Sequence, residues 1–299
     1  MVEFEQRCQK PDHRRVGNWM ARRLVRPAAL RVTWVVAPWG VSANAATWTA
    51  WGVGVGAAAA FATGHMVGWV IGALLLQAWY LLDHVDGQLA RFHGTASLDG
   101  VQLDYLMHHT VNVLVALGTG WGLFVASGNP YWMLCGVGWG MALLLLSVHH
   151  DARYKAFNQR LKRLRGTLHV HGGAGGRPQA QPPIPGGWLH RIAWAARKSS
   201  EMHVIMNLLT VVAFVCAAVG DNGLLLARSY VAIAACLAVG TAGWTVARSQ
   251  SAQSAETEFA TWYRVPPGQA LEFRDGWWYT EDAATTESAL SRATSEATD

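Results

Sequence analysis

Charge is what this chain has least of. Only 14% of its 299 residues are Asp, Glu, Lys or Arg, against about 25% in ordinary soluble domains. Hydrophobic residues make up 52%, and mean hydropathy is positive, at +0.15. That excludes a wholly water-soluble globular protein and points to a membrane protein with soluble ends. Cysteine is scarce too. Cys8, Cys135, Cys216 and Cys236 follow no metal-binding spacing, and three of them stand in apolar runs. They read as small packing residues, with no disulfide framework expected. No cleavable signal peptide is expected, because the first residues are polar and the first apolar span starts late. Acidic residues are outnumbered, 19 against 24 Lys and Arg. The extra cations flank apolar runs, which fits positive-inside topology and anionic lipid better than nucleic acid.

Apolar runs of membrane length are what the chain has instead. They cover roughly 43–63, 66–90, 99–124, 131–150, 202–219 and 224–247, each close to the about 20 residues a bilayer needs. The 16 tryptophans suit interfacial belts. The expected fold is an all-α integral membrane protein with six transmembrane helices and an N-terminal amphipathic interfacial helix. Residues 1–41 form a basic arm and that helix, where apolar and basic residues interleave (VGNWMARRLVRPAALRVTWVV) with a kink expected at Pro27. Residues 42–248 are expected to form a six-span membrane domain that includes a cytoplasmic loop over 151–200. That loop is basic at both ends and Gly/Pro-rich in the middle, the composition of a flexible linker. Residues 249–299 are an acidic cytoplasmic tail. Its aromatic middle suits a small β element or docking on the body, and it reads as disordered beyond Glu281. Cations gather at the N-terminus, over 91–98, over 151–200 and at Arg248. Both termini are therefore expected in the cytoplasm, in the cell inner membrane if the source is bacterial. Arg228, near the outer end of the last span, is expected to snorkel to headgroups.

The chemistry concentrates in Leu81–His109, LLDHVDGQLARFHGTASLDGVQLDYLMHH. Ionisable groups at membrane depth are costly and usually functional. Asp83 and Asp86 are three apart and share a helix face, with Gly87 and Ala90 on or near it leaving room for a ligand. Arg91 closes the segment with a planar cation suited to phosphate. Gly100, Asp104 and His108 recur at every fourth residue, one face of the next helix. Side by side, two such helices present three carboxylates and an imidazole to one space. Such a cluster repels itself unless cations fill it, and its oxygen-rich chemistry suits magnesium, manganese or calcium.

The order Asp83-x-x-Asp86-Gly87-x-x-Ala90-Arg91, eight residues, then Gly100-x-x-x-Asp104 resembles the signature of the CDP-alcohol phosphatidyltransferase family. That signature ends x-x-x-Asp, where this chain has His108. The resemblance implies transfer of a phosphatidyl or other phosphoalcohol group from a CDP-linked donor to a hydroxyl acceptor, with release of CMP. It implies two Mg2+ or Mn2+ ions, with Asp83, Asp86 and Asp104 as metal ligands. Gly87 and Ala90 then admit the cytidine, Arg91 contacts phosphate, and Gly100 permits close approach. It also implies a homodimer. His108 is expected to be the general base in place of the usual aspartate, since its unperturbed pKa lies near about 6.5. Ser42-Ala43-Asn44-x-x-Thr47 lies near an opening that similar enzymes show, which makes Asn44 and Thr47 weaker substrate-binding candidates; helix capping is the other account of Ser42 or Asn44. A CDP-diacylglycerol donor is expected because lipid reaches a site in the bilayer laterally; a CDP-linked head group with a lipid acceptor is the other arrangement. The alternative is a non-catalytic protein, or an ion-binding or transport protein, that uses the acidic cluster.

Overall fold

The computed structural model describes residues 2–10, 13, 17–170, 187–220 and 223–282. They fall into two compact units, residues 1–147 with 178–244, and residues 148–177 with 245–299.

The first unit is helical. A short helix α1 (Val2–Cys8) precedes a longer one that passes through a π turn at Ala21–Val25 into α2 (Arg26–Val36). Pro27 explains the π turn. Proline has no N–H to give the carbonyl one turn back, and its ring crowds that carbonyl. A wider turn relieves both, and helical backbone continues through Pro27 into α2. A 3-10 turn (Ala37–Trp39) ends at Gly40 in the left-handed region, φ 71°. Ser42 then caps α3 (Ala43–Ala62), its side chain accepting from the Ala45 N–H at 3.1 Å.

After α3 come α4 (Met66–His93), α5 (Leu98–Ser127), α6 (Tyr131–Lys162), α7 (Trp188–Ser199), α8 (Met202–Val219) and α9 (Gly223–Ser251). Five of these, α4, α5, α6, α8 and α9, are long and apolar enough to cross a membrane. The protein is thus an all-α membrane protein in its main unit. Helix α3 has 20 residues but is not among the five. Its Gly, Thr, Trp and Ala content keeps its hydropathy low while letting neighbours come close.

That closeness organises the core. A Cβ on Gly118 or Gly122 of α5 would strike the backbone oxygens of Ala58 and Phe61 on α3. A Cβ on Gly120, between them, would stand 2.6 Å from the Gly136 Cα on α6. Three alternate glycines therefore bring α5 against two helices at once, the small-residue packing that membranes favour. Around them sit Phe61, Leu76, Trp79, Met107 and Leu123, all fully buried. A polar pin adds to this. Gln77 on α4 donates to Asn207 (3.2 Å) and Thr210 (2.9 Å) on α8.

Among the described residues, the second unit holds the ends of α6 and α9, helix α10 (Ser254–Trp262) and five strands. Strands β1 (Leu164–Arg165), β4 (Gln269–Arg274) and β5 (Trp277–Asp282) form a sheet of order β1-β5-β4. Strands β2 (His169–Val170) and β3 (Tyr263–Arg264) pair separately. The aromatic part of the tail thus does form a small β element. Over 151–200 both ends are structured: α6 runs on to Lys162, β1 and β2 follow, and α7 lies beyond. The Gly/Pro-rich centre of that loop (171–186) and the tail beyond 282 lie outside the described residues.

Candidate functional site

Helices α4 and α5 are joined by a tight reversal. Gly94 takes φ 66°, and the Gly94 and Thr95 N–H groups cap the carbonyls of Arg91 (3.2 Å) and Ala90 (2.9 Å), as a helix end with a left-handed glycine does. Ser97 then caps α5 by accepting from the Gly100 N–H at 3.0 Å, with Asp99 in the first turn. Asp83 lies ten residues before the end of α4 (93 − 83), and His108 ten after the start of α5 (108 − 98). At about 1.5 Å per residue the reversal brings the two to the same depth.

There they meet. His108 Nε2 lies 2.8 Å from Asp83 Oδ1 and 3.3 Å from Asp104 Oδ1. One ring N–H cannot serve both oxygens, and the shorter contact goes to Asp83. Asp104 Oδ1 is buried and accepts no hydrogen bond. One ligand atom from each of Asp83, Asp104 and His108 falls within 4.8 Å of the others. The carboxylate side chains are 13% and 39% exposed and that of His108 is 29%, so the site is partly open. Two carboxylates, an imidazole and an unsatisfied buried oxygen suit a hard divalent cation.

Asp86 is not part of this trio. It is 8% exposed and accepts from Thr47 Oγ1 on α3 at 2.8 Å. Thr47 Oγ1 also lies 3.1 Å from the Ala43 carbonyl one turn back. Thr47, a weaker candidate by sequence, is therefore the residue that holds one of the motif's aspartates. Asn44 is near the site as well, its Oδ1 3.5 Å from where a Gly100 Cβ would stand. Gly100 and Ala90 are half-buried on their helices, as is Gly87. Arg91 folds back over Gly87, with Nη1 3.3 Å from the position of a Cβ there. Arg91 Nε donates to the Cys8 carbonyl at 2.5 Å.

Three contributors were not among the candidate site residues. His84 lies on Asp83, with Nδ1 3.3 Å from Asp83 Oδ2 and 2.9 Å from the Tyr80 carbonyl. A carbonyl only accepts, so this bond places a proton on Nδ1. Trp79 stands edge-on to the His108 ring at 5.2 Å between centroids and 80° between planes, which holds the imidazole in place. Gln88, on the far side of α4, accepts from Thr33 (2.9 Å) and donates to the Arg26 carbonyl (3.2 Å), tying α2 to α4. The signal in the sequence is that His84 and Gln88 are polar residues in an apolar run.

Compared with known proteins, the chain matches no protein-family model and no curated protein.

Proposed function

We propose that this protein is a metal-dependent CDP-alcohol phosphotransferase, which moves a phosphoalcohol group from a CDP-linked donor to a hydroxyl acceptor and releases CMP. The observation that carries the reading is the meeting of Asp83, Asp104 and His108, one ligand atom each within 4.8 Å, in a motif that also supplies Asp86 and Arg91. The carboxylates there would hold a divalent cation, magnesium or manganese, which would supply charge neutralisation for the pyrophosphate and for the attacked and leaving oxygens. The resemblance in sequence implies two such ions, with Asp86 contributing to the set.

The chain's own residues do the rest. Arg91 binds phosphate through its planar fork. Gly87 and Ala90 leave the backbone open to the cytidine, and Asn44 and Gly100 border the same space. The acceptor hydroxyl attacks the phosphorus beside the alcohol, its proton passes to His108 Nδ1, the ring nitrogen that does not carry the N–H given to Asp83, and the bond to CMP breaks with its electron pair leaving on CMP. Asp83 and Asp104 stabilise the imidazolium so formed, as a carboxylate does for a catalytic histidine. The donor is CDP-diacylglycerol in this reading, because the site lies on helices that lipid reaches from the side.

Six spans belong to the same proposal, with α3 as the first, α2 as an interfacial helix, and both termini and the site facing the cytoplasm. The support is the cations at the start of the chain, around α7 and at Arg248, with few at the opposite ends. A homodimer completes it.

The test is CMP release by purified protein in lipid, with CDP-diacylglycerol, magnesium or manganese, and a panel of hydroxyl acceptors. Acceptor-dependent release that disappears in Asp83→Asn is the expected result. The trio by itself equally suits an ion site without transfer chemistry. Failure to bind CMP or CDP-diacylglycerol with metal present would favour that reading and sink this one.

A further inference from the structure

Helix α1 packs on the last turn of α4. Phe4 and Phe92 lie 4.9 Å apart between ring centroids, tilted by 50°. The Arg7 guanidinium stands 5.1 Å over the same Phe92 ring, a cation–π contact. Cys8 is fully buried, at 0% exposure. Its carbonyl is one of those a helix end leaves without an intrahelical donor, and it sits at the negative end of the helix. That carbonyl takes the Arg91 Nε–H at 2.5 Å. The other side of the guanidinium faces Gly87, with Nη1 and Nη2 3.3 and 3.4 Å from where a Cβ would stand.

The geometry points to α1 as a clamp that positions Arg91: the Cys8 carbonyl holds Nε, and the two terminal nitrogens are thereby set over Gly87 to receive the donor's phosphates. The inference rests on the transferase reading, which supplies the phosphates. A free arginine side chain samples many rotamers. One held at Nε presents its remaining N–H groups in a fixed plane, the arrangement a bidentate phosphate contact needs. Phe4 and Arg7 act at one remove. They touch neither ligand nor cation, and they hold α1 where its last carbonyl meets Arg91. Gly87 fits the same account, because a side chain there would press on the guanidinium.

The clamp is testable without turnover. In full-length protein in lipid, Cys8 is labelled with a water-soluble maleimide and the site of labelling is assigned by peptide mass. Burial pushes the Cys8 thiol pKa up, so the docked thiol reacts slowly. Phe4→Ala combined with Arg7→Ala should speed labelling by about tenfold or more, as expected when a buried thiol is uncovered. Arg91→Ala should speed it too, and Phe4→Tyr should keep it slow. Unchanged labelling in both the double variant and Arg91→Ala would overturn the clamp.

CMP affinity with magnesium is the second readout. The double variant should weaken it by about tenfold, the weight of one well-made charged contact. It should have no further effect in an Arg91→Lys background, because lysine has no Nε–H for the carbonyl to hold. Equal weakening in both backgrounds would mean that α1 does not act through Arg91, and the proposal falls. If labelling follows the expected pattern while the wild-type protein binds no CMP, the transferase reading fails and the α1–Arg91 contact stands.

Discussion

Thr47 on α3 donates its hydroxyl to Asp86 on α4 across 2.8 Å, and this bond decides where the second aspartate of the motif points. Asp86 is nearly buried, so it needs the partner. Thr47→Val keeps the shape and removes the donor. Leaving a buried acceptor unsatisfied costs about 1–3 kcal/mol. The expected outcome is a lower midpoint of thermal unfolding together with weaker CMP binding, both restored by Thr47→Ser. If Thr47→Val bound CMP and unfolded like the wild type, Thr47 would have no part in shaping the site.

His108 is expected to separate two jobs. His108→Ala leaves Asp83 and Asp104 facing each other with no proton between them. Loss of a general base lowers turnover by about 10²–10⁴-fold, with donor affinity much less affected. His108→Asp restores a carboxylate in the last motif position and adds a negative charge. It should keep turnover well above that of His108→Ala and lower the magnesium concentration needed for half-maximal rate. Turnover unchanged in His108→Ala would remove this residue as the base, whatever the metal dependence.

Much of this site is legible in the sequence, because two helices carrying charged residues at fixed spacing leave little choice of face. The reversal between them is equally plain, with Gly94 ending one helix and Ser97 starting the next. The split of the aspartates is not. Asp83 and Asp86 share a face in the spacing, yet one meets His108 and the other Thr47, because α3 lies against only part of that face. The Arg91–Cys8 contact is illegible for another reason: a backbone carbonyl is the same at every residue. Helix α7 was hidden by averaging. Its Trp188, Ile192, Arg197 and Lys198 sit beside a Gly/Pro-rich stretch whose composition dominates the loop.

The glycines of α5 yield a stability prediction. Gly122→Ala places a methyl against the Phe61 carbonyl, and Gly118→Ala one against that of Ala58. Backbone cannot swing aside as a side chain does, so α3 and α5 must separate. Overpacking of this kind costs about 1–3 kcal/mol. Gly243→Ala on α9 is the matched control, with nothing within 4 Å of its added Cβ. It should be neutral or stabilising by up to about 1 kcal/mol. Thermal unfolding in detergent reads all three, and equal midpoints would mean that the α3–α5 approach is looser than described.

In the second unit, Arg160 on α6 forms a forked pair with Glu256 on α10, at 2.7 and 2.5 Å. The same guanidinium lies 4.7 Å from the Phe259 ring and 4.1 Å from the Trp278 ring, so one side chain joins α6, α10 and β5. Its hydrogen bonds to Glu256 hold that carboxyl below its usual pKa. The sign follows from this. The pair's contribution is complete above the unfolded carboxyl's pKa and fades as pH falls through the lowered folded value. Because the Glu256 side chain is 59% exposed, the ion pair itself is worth under about 1 kcal/mol. Each stacked ring adds about 0.5–1 kcal/mol. Glu256→Gln should therefore have a small effect at neutral pH and flatten the acid-side loss of protection of the tail against limited proteolysis. Arg160→Ala removes the pair and both ring contacts, and should expose α10 and β4–β5 to cleavage at every pH. Arg160→Lys, which keeps the charge but loses the plane, should fall between them. If Arg160→Ala and Glu256→Gln gave the same proteolysis profile, the rings would contribute nothing and the ion pair alone would hold the tail.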